Sequence, residues 1–425
     1  MIVSPAFRGK RYAVLGLARS GLATVRALVA SGAHVVAWDS KDDARASVGD
    51  GVTLSDPLEI DLTGFDGVVV SPGVPINRHP IADKAHAANV PLIGDIELFS
   101  QARPSLPPHK VIGITGTNGK STTTALIHHI VETAGIPARL GGNIGLPILG
   151  QEPLPEGGVY VLELSSYQID LCHALDCDIA VLLNITPDHL DRYDGFADYA
   201  AAKERLFTMQ HVDKVAVIAT EDDRTKMIAS RINHRLMRVS SKQVGDQSRW
   251  PSLQGPHNAQ NVAAARAVAE VLGIKASTIE EALHTYPGLP HRMERVRELG
   301  GVVYVNDSKA TNPTSTAPAL AAFPAIHWIL GGRAKTSELD ACVPYFGHVR
   351  AAYTIGESAG MFASLLKGSM PVSECGSLDI AVRAASKAAV AGETVLLSPA
   401  CASFDQFTDF EARGDAFRVA VEALA

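Results

Sequence analysis

The chain has 425 residues, 46% of them hydrophobic and 20% charged, which excludes a disordered protein and suggests two to four domains of roughly 150 residues each. The 38 Lys and Arg residues against 45 Asp and Glu give a net charge of −7, so the chain lacks the positive surface of a general nucleic-acid-binding protein. The five scattered cysteines form no CxxC pair, which excludes a disulfide framework, disfavours structural zinc and suits the cytoplasm. The uncharged stretch 311–332 contains three prolines, so we predict no membrane span.

Short β-rich runs alternate with longer helical patterns along most of the chain, beginning with residues 12–15, 22–30 and 34–38. This alternation predicts an α/β fold with parallel sheets. Two proline-rich breaks interrupt it, at residues 102–109 and 286–291, and a new strand pattern follows each of them, at 111–115 and 301–306. The breaks predict three domains, at residues 1–100, 101–290 and 291–425, each of an ordinary domain size.

A first glycine-rich turn, Gly16-Leu-Ala-Arg-Ser-Gly21, follows the strand pattern 12–15 and opens a helix. Free backbone amides at a helix N-terminus bind phosphate, and Asp39 ends the next strand where an acid reads a ribose in dinucleotide folds. Ala18, however, replaces the middle glycine of the G-x-G-x-x-G pattern. The residues alone leave two interpretations open, a nucleotide site and a tight turn that only packs a helix on a strand. The missing glycine disfavours a redox cofactor.

A second glycine-rich turn, Gly116-Thr-Asn-Gly-Lys120-Ser121-Thr122, lies between the strand pattern 111–115 and the helical pattern 123–133. Loop amides of this kind cradle phosphates, a lysine reaches the terminal phosphates and a hydroxyl holds Mg²⁺. The strict G-x-x-x-x-G-K-[ST] spacing is not met, because Ile114 stands where the first glycine belongs. The order of strand, loop and helix nevertheless predicts an ATP site.

Polar residues end the strand patterns that follow. Glu163 closes the apolar run 159–163, and we predict that it serves a metal, because an unpaired buried carboxylate is costly. After residues 179–184, His189 is a candidate metal ligand, whereas Asp188 and Asp191 are equally well explained as helix caps. Lys203 lies in a helical pattern, where a lysine usually faces solvent or pairs with a residue one turn away.

These residues and several further blocks resemble the Mur ligases, ATP-dependent amide-bond ligases of bacterial cell-wall synthesis. The blocks follow in the expected order: Gly116-Thr-Asn-Gly-Lys-Ser-Thr122, Glu163-Leu-Ser-Ser-Tyr-Gln168, Asn184-Ile-Thr-Pro-Asp-His-Leu-Asp191, Gly255-Pro-His-Asn258-Ala-Gln-Asn261, His291-Arg-Met-Glu294, Asn306-Asp-Ser-Lys309-Ala-Thr-Asn312 and Ser398-Pro-Ala-Cys-Ala-Ser-Phe-Asp-Gln-Phe407. The last two, with Ser71-Pro-Gly73 and the segment 94–99, resemble the family member that adds D-glutamate to UDP-N-acetylmuramoyl-L-alanine.

The resemblance implies three domains: an N-terminal Rossmann-like domain that binds UDP, a central P-loop ATPase-type domain with a mostly parallel sheet, and a C-terminal Rossmann-like domain that brings the amino acid. It implies an ATP-dependent ligation through an acyl phosphate, with two Mg²⁺ ions and a CO₂-derived carbamate on Lys203. It also implies a cytoplasmic monomer with small-molecule substrates, without a nucleic-acid or membrane partner.

The resemblance also assigns residues to four groups. The catalytic residues are Lys120, His189, Lys203 and Asp307, and the metal ligands are Ser121, Glu163, His189 and Lys203 as its carbamate. The residues assigned to ATP binding are Gly116, Thr117, Asn118, Gly119, Lys120, Ser121, Thr122, Asn258, Asn261, Arg292 and Asp307. Those assigned to the UDP substrate are Arg19, Ser20, Asp39, Ser40, Lys41, Ser71, Gly73 and Asn143. Those assigned to D-glutamate are Lys309, Thr311, Lys335, Ser403 and Phe404.

Several alternatives stay open at this stage. Asn258 could be a helix cap rather than an ATP contact, Cys401 is explained as a small buried side chain, and Arg333 and Ala334 depart from the family's loop. Another ligase of the same superfamily, such as a different Mur step or folylpolyglutamate synthase, would use the same chemistry on other substrates. A nucleotide-gated switch would use the phosphate loop without ligation.

Overall fold

Three β-sheets with their helices make up the protein in the computed structural model, which describes residues 1–188 and 192–424. The described chain divides into two compact units. The first consists of Met1–Gln243 and Gln260–Ala282 and holds the first two sheets, and the second consists of Val244–Ala259 and the chain from Leu283 onward and holds the third. The predicted α/β class with three mostly parallel sheets is confirmed.

The first sheet is parallel throughout and has the strand order β3-β2-β1-β4-β5. Its strands are β1 (Arg11–Leu15), β2 (His34–Trp38), β3 (Val52–Leu54), β4 (Gly67–Val70) and β5 (Leu92–Ile93), and its helices are α1 (Arg19–Ala30), α2 (Asp42–Ala46), α3 (Ile81–Ala87) and α4 (Asp95–Ala102). The order reverses at β1, which lies between β2 and β4. In open parallel sheets a ligand binds where the strand order reverses, and the first glycine turn follows β1 at that point.

The second sheet is also parallel and has the order β11-β10-β9-β6-β8-β7. Its strands are β6 (His109–Thr115), β7 (Ala138–Gly142), β8 (Gly158–Glu163), β9 (Ile179–Leu182), β10 (Val215–Ala219) and β11 (Arg235–Val239). The helices are α5 (Lys120–Thr133), α6 (Ser166–Asp170), α7 (Phe196–Thr208), α8 (Asp223–Arg231), α9 (Pro256–Val271) and α10 (Ala276–Thr285). The central β6 pairs with β8 and β9, so the second glycine turn leaves the sheet between the ends of these two strands.

The first two sheets share one hydrophobic core. A single cluster of buried side chains includes Val14 and Val69 of the first sheet and Tyr160 and Leu182 of the second. Each of the three predicted domain ranges contains one sheet, but the first range and most of the second belong to one compact unit, whereas Val244–Ala259 and residues 283–290 belong to the other. The segment 102–109, interpreted from its prolines as an exposed connection, contains a short 3₁₀ helix at Arg103–Ser105.

The third sheet has the order β12-β13-β17-β14-β15-β16, with an antiparallel edge strand on otherwise parallel strands. Its strands are β12 (Glu294–Leu299), β13 (Val302–Asn306), β14 (Ile326–Gly331), β15 (Val349–Ile355), β16 (Val372–Gly376) and β17 (Thr394–Leu397), and its helices are α11 (Pro313–Ala321), α12 (Ala359–Leu366), α13 (Leu378–Ala388) and α14 (Phe410–Glu422). Successive residues of β14 face opposite sides: Trp328 and Leu330 join one hydrophobic cluster and Ile329 the other.

Several elements differ from the sequence-based prediction. The helices expected at residues 22–30 and 123–133 begin earlier, at Arg19 and Lys120. The sequence placed their starts too late because the first turns are polar and show no hydrophobic periodicity. The strand expected at 179–184 ends at Leu182. Strand β12 was not predicted, because its alternating charged residues give a weak hydrophobic pattern.

The described part of the chain contains no helix long and apolar enough to span a membrane.

Candidate active site

The second glycine turn connects β6 to the N-terminus of α5. Gly116 and Gly119 have φ angles of 151° and 82°, in the region that favours glycine. A Cβ on Gly119 would lie 2.4 Å from Oδ1 of Asn261, which comes from α9 and also accepts a hydrogen bond from Thr123 Oγ1 at 3.1 Å. The turn therefore requires glycine at this position, and it leads directly into the N-terminus of α5, where backbone amides and the helix dipole favour an anion.

Two lysines converge on one carbonyl of this turn. Lys120 Nζ donates to the carbonyl oxygens of Gly116 and Thr117 at 2.9 and 2.8 Å, and Lys203 Nζ donates to the same Gly116 oxygen at 2.9 Å. Lys203, on α7, is only 1% exposed, so the interpretation of a solvated lysine that its helical pattern suggested is wrong. Burial, followed by the nearby charge of Lys120, lowers the pKa of Lys203 well below its ordinary value.

The predicted metal ligands include a buried carboxylate oxygen without a hydrogen-bond partner. Glu163, the last residue of β8, is 2% exposed; its Oε1 accepts from Asn143 Nδ2 at 3.0 Å, and its Oε2 has no hydrogen-bond partner. A buried unpaired oxygen of this kind fits a hard cation such as Mg²⁺, which takes oxygen ligands. Ser121, at the start of α5, is also buried.

Two residues of the predicted metal and capping set, His189 and Asp191, lie outside the described residues. Among those that the structure does describe, no group of three or more His, Cys, Asp or Glu side chains has the arrangement of a metal site.

Some contacts of the turn were not predicted from the sequence. Asn184 follows β9, and its side chain accepts from the backbone N–H of Asn118 at 2.8 Å. The hydroxyl of Tyr199 lies 3.1 Å from Thr117 Oγ1, and its ring lies 4.6 Å from Lys203 Nζ. Asn184 stands directly after a buried strand, which was the available signal, whereas nothing in the sequence indicated Tyr199.

Helix α9 begins at Pro256, so Asn258 lies inside it. A helix cap was the alternative interpretation of this residue. Its side-chain Nδ2 donates to the backbone oxygen of Gln254 at 3.0 Å. The cap interpretation is therefore wrong, and the ATP contact stays a prediction.

The first glycine turn is held by a carboxylate. Asp39, at the end of β2, accepts from the backbone N–H groups of Leu17 and Lys41 at 2.7 and 3.0 Å. Burial raises the pKa of Asp39, but the two backbone donors and the charges of Lys41 and Arg45 outweigh this and hold it below its ordinary value. The carboxylate is thus ionised at neutral pH and fixes the shape of the turn.

Other residues predicted for the UDP substrate also meet around this turn. Ser71 Oγ donates to the Gly16 oxygen at 2.9 Å, and Arg19 donates to the backbone oxygen of Gly145 at 3.0 Å, in the loop that carries Asn143. The Gly73 oxygen accepts from Arg192 at 3.2 Å. Ser20 and Ser71 line one small cavity, whereas Ser40 is exposed and Lys41 precedes α2. The structure thus gathers Ser20, Ser71 and Asp39 at one turn.

In the second unit, Asp307 is buried after β13. Its oxygens accept from Ser398 Oγ at 2.8 Å and from the backbone N–H of Met293 at 3.2 Å. Burial raises the pKa of Asp307 to about 7, despite these donors and the nearby Arg292 and Arg413. Arg292 lies in the turn before β12, where it forms an isolated antiparallel bridge with Leu289.

The residues predicted for D-glutamate differ widely in exposure. Ser403 is 2% exposed and Phe404 63% exposed, on the loop after β17. Lys309 Nζ lies 3.7 Å from the ring centroid of Phe410, and Thr311 follows it in the same loop. Lys335 is exposed.

The neighbouring loop that departs from the family pattern is held by its own contacts. Arg333 Nε lies 3.2 Å from Glu357 Oε2, and the backbone N–H of Ala334 donates to Ser358 Oγ at 3.1 Å. Both residues are therefore engaged within the second unit.

Arg413, on α14, is a buried cation that the sequence analysis missed. It is 1% exposed and donates to Ser308 Oγ, Ser308 O and Cys401 O at 2.9, 2.8 and 3.1 Å. It therefore joins the loop that carries Lys309 and Thr311 to the loop that carries Ser403 and Phe404. Its burial could not be predicted from the sequence, because an arginine in a helical pattern is ordinarily exposed. Cys401 itself is buried, as expected.

These features define a class of protein, an α/β protein with a nucleotide-type phosphate loop, a second glycine turn and a separate C-terminal unit. Two family models match the chain, the Mur ligase middle domain over residues 114–251 and the Mur ligase glutamate ligase domain over residues 291–401. The chain belongs to the Mur ligase family and is a ligase.

Two relatives with high sequence identity carry the name of one member of the family. The chain is 64% identical to the UDP-N-acetylmuramoylalanine--D-glutamate ligase of Sphingopyxis alaskensis, with all of both chains covered, and 64% identical to the enzyme of the same name from Novosphingobium aromaticivorans, with 100% and 97% covered. Among solved structures, the MurF ligase of Thermotoga maritima in complex with ADP matches with a TM-score of 0.64 at 14% identity, covering 100% and 96% of the two chains. At that identity the structural match supports the fold alone. The predicted family is confirmed.

Proposed function

We propose that the chain joins D-glutamate to UDP-N-acetylmuramoyl-L-alanine, with conversion of ATP to ADP and phosphate, in the cytoplasmic synthesis of peptidoglycan precursors. The observation that carries the proposal is the full-length relationship to two ligases of that name at 64% identity. The geometry adds a chemical reason, because the second glycine turn brings two amines to one loop carbonyl at a helix N-terminus, where a triphosphate binds.

The first step activates a carboxylate. A carboxylate oxygen of the UDP substrate attacks the γ-phosphorus of ATP, a P–O bond forms, and the bond to the β,γ-bridging oxygen breaks to release ADP. Negative charge from both reactants meets at this point, so neutralising it is the main catalytic demand. Lys120 meets this demand, because its amine lies at the loop carbonyls of Gly116 and Thr117 and binds the terminal phosphates from there.

The second step forms the amide. The unprotonated amine of D-glutamate attacks the carbonyl carbon of the acyl phosphate, and the tetrahedral intermediate loses inorganic phosphate and a proton. In the C-terminal unit, Lys309, Thr311, Lys335, Ser403 and Phe404 are the residues we assign to D-glutamate. Arg413 supports them, because it ties together the loops on which Lys309 and Ser403 lie.

Two Mg²⁺ ions would be held by Ser121, Glu163, His189 and a carbamate on Lys203, and would supply positive charge to the phosphates. The unpartnered Oε2 of Glu163 supports this assignment. The lowered pKa of Lys203 supports the carbamate, because only a neutral amine reacts with CO₂ and an ammonium group would repel the cations.

The remaining assignments complete the proposal. We assign ATP binding to the turn Gly116–Thr122 with Asn258, Asn261, Arg292 and Asp307. We assign UDP binding to Arg19, Ser20, Asp39, Ser40, Lys41, Ser71, Gly73 and Asn143. The domain ranges are 1–100, 101–290 and 291–425, and the enzyme acts as a monomer.

A substrate panel tests the proposal. Phosphate release with ATP, Mg²⁺ and UDP-N-acetylmuramoyl-L-alanine is measured with D-glutamate, L-glutamate or meso-diaminopimelate as the amine. We expect release and a mass-confirmed product with D-glutamate only. Activity with another amino acid would assign the chain to a different ligation step, and slow ATPase activity indifferent to every amino acid would indicate a nucleotide-gated switch.

A further inference from the structure

Three side chains of the first unit form a hydrogen-bonded row that ends on the phosphate loop. Glu221 follows β10, Gln260 lies on α9 and Asn184 follows β9. Glu221 Oε2 accepts from Gln260 Nε2 at 2.6 Å, and Gln260 Oε1 accepts from Asn184 Nδ2 at 2.8 Å. None of the three belongs to the residues assigned to substrates, metal or catalysis above.

The row ends on the backbone N–H and C=O groups of one loop residue, Asn118. Asn184 Oδ1 accepts from the backbone N–H of Asn118 at 2.8 Å, and Asn184 Nδ2 donates to the backbone oxygen of Asn118 at 3.2 Å. Asn118 lies between Gly116 and Lys120, so its orientation decides which way the loop amides point. The other end of the row is anchored too, because Glu221 Oε1 accepts from the backbone N–H of Ser241 at 2.5 Å.

The Glu221 carboxylate at one end of the row and the Asn118 backbone N–H at the other require the same orientation of the two side-chain amides between them. A carboxylate can only accept, so Gln260 must turn its NH₂ group to Glu221 and its oxygen to Asn184. Asn184 must then turn its NH₂ group to Gln260 and its oxygen to the loop. The backbone N–H of Asn118 can only donate, and it requires this same oxygen. The carboxylate thus selects one orientation of two side-chain amides that could otherwise flip.

We propose that Glu221, Gln260 and Asn184 are positioning residues that fix the backbone of Asn118 in the phosphate loop for ATP. The proposal rests on the proposed function only in that the loop binds ATP. Amide donors that are already oriented bind a developing phosphate charge without reorganisation. The backbone oxygen of Asn184 separately accepts from Thr117 N–H at 2.8 Å, so the side chain can be removed without releasing the loop from β9.

The decisive test exchanges the two ends of the pair. In Gln260→Glu two carboxylates face each other and the donor to Glu221 is lost, and we expect kcat/KM for ATP to fall roughly tenfold. In the double variant Gln260→Glu/Glu221→Gln, the new glutamine donates to the new carboxylate, which still accepts from Asn184. Because the direction of the row is restored, we expect recovery to within about twofold of the unmodified enzyme.

Asn184→Ala cuts the row at the loop. We expect a roughly ten- to hundredfold fall in kcat/KM for ATP, with the KM for D-glutamate unchanged. When the exchanged pair Gln260→Glu/Glu221→Gln is added to Asn184→Ala, we expect no recovery of kcat/KM for ATP. Glu270→Gln, the same type of change on an exposed residue ten positions along α9, is the matched control and should leave activity unchanged.

Calorimetric titration with ADP provides a readout independent of ligation. Restored ADP affinity in the exchanged pair, lost again with Asn184→Ala, would support the proposal. Additive losses in the exchanged pair, or rescue that persists without Asn184, would overturn it. If the unmodified protein bound ADP but formed no D-glutamate product, the proposed function would fall, and the ADP affinities would still decide the role of the row.

Discussion

The two glycine turns of the first unit have the same backbone plan but opposite charge. Each connects a central parallel strand to a helix N-terminus, β1 to α1 and β6 to α5. In the first turn a loop amide, that of Leu17, donates to the carboxylate of Asp39, and in the second the amide of Asn118 donates to the neutral side chain of Asn184. Two lysines reach the second turn.

This difference decides which turn suits a triphosphate. The ionised carboxylate at the first turn accepts hydrogen bonds, as sugar hydroxyls require, and disfavours the high negative charge of a triphosphate, whereas the second turn offers two lysines. The charge comes from residues other than the glycines: Asp39, which follows β2, makes the first turn negative, and Lys120 and Lys203 make the second positive.

Replacing Lys120 should have the largest effect of any change at these turns. We expect Lys120→Ala to lower D-glutamate-dependent product formation by on the order of 10³-fold, because the charge on the transferred phosphate loses its counter-ion. Coupled phosphate release measures it, and the melting temperature should stay near that of the unmodified protein.

Lys110→Ala is the matched control, since Lys110 is an exposed lysine on the same strand β6 and should change activity by no more than about twofold. Unimpaired product formation in Lys120→Ala would remove the distinction between the two turns.

The sequence predicted the strands and turns well because their signals are local. Apolar strand patterns ending in glycine turns located both turns, and Glu163 was found because a carboxylate after a buried strand is costly unless it has a partner. The union of the first two sheets in one core was not predictable, because it depends on packing between distant segments such as Val14 and Tyr160.

The burial of Lys203 and the hydrogen-bonded row of Glu221, Gln260 and Asn184 could not be predicted from the sequence, for a related reason. A helical pattern gives the face of a residue but not what packs against it, so the convergence of Lys203 and Lys120 on the Gly116 oxygen depends on how α7 packs beside β6. Asn184 and Gln260 are 76 residues apart, and no local pattern links them.

Removing Lys203, for which we propose a carbamate, should have the next largest effect. We expect Lys203→Ala to lower activity by roughly 10- to 100-fold, as loss of a metal ligand or its support does. Because burial lowers the pKa of Lys203 and so favours the neutral amine that reacts with CO₂, a carbamate signal should appear in ¹³C NMR with labelled bicarbonate.

Lys226→Ala, at an exposed lysine of α8, should remove neither the signal nor the activity. Full activity in carefully degassed, bicarbonate-free buffer with an unmodified Lys203 by intact mass would contradict the assignment and leave Lys203 as a simple counter-charge to the loop.

The smallest expected effect is at the first turn, where Asp39→Asn retains one acceptor and loses the other. We expect the KM for the UDP substrate to rise several-fold with the KM for ATP unchanged, and the free energy of unfolding at pH 7 to fall by about 1–2 kcal/mol. The stability effect depends on pH in a defined direction. Since the pKa of Asp39 is lowered on folding, its contribution is present above the unfolded pKa of about 4 and is lost as the pH falls through the folded value.

Urea unfolding of Asp39→Asn and of the unmodified protein between pH 3 and 7, in roughly half-unit steps, should therefore give two stability curves that converge at the acid end. Asp50→Asn, at an exposed aspartate of the same sheet region, should follow the unmodified curve throughout. If Asp39→Asn instead raised the KM for ATP as much as that for the UDP substrate, the first turn would bind the same ligand as the second. Its carboxylate would then have to be explained as a purely structural brace.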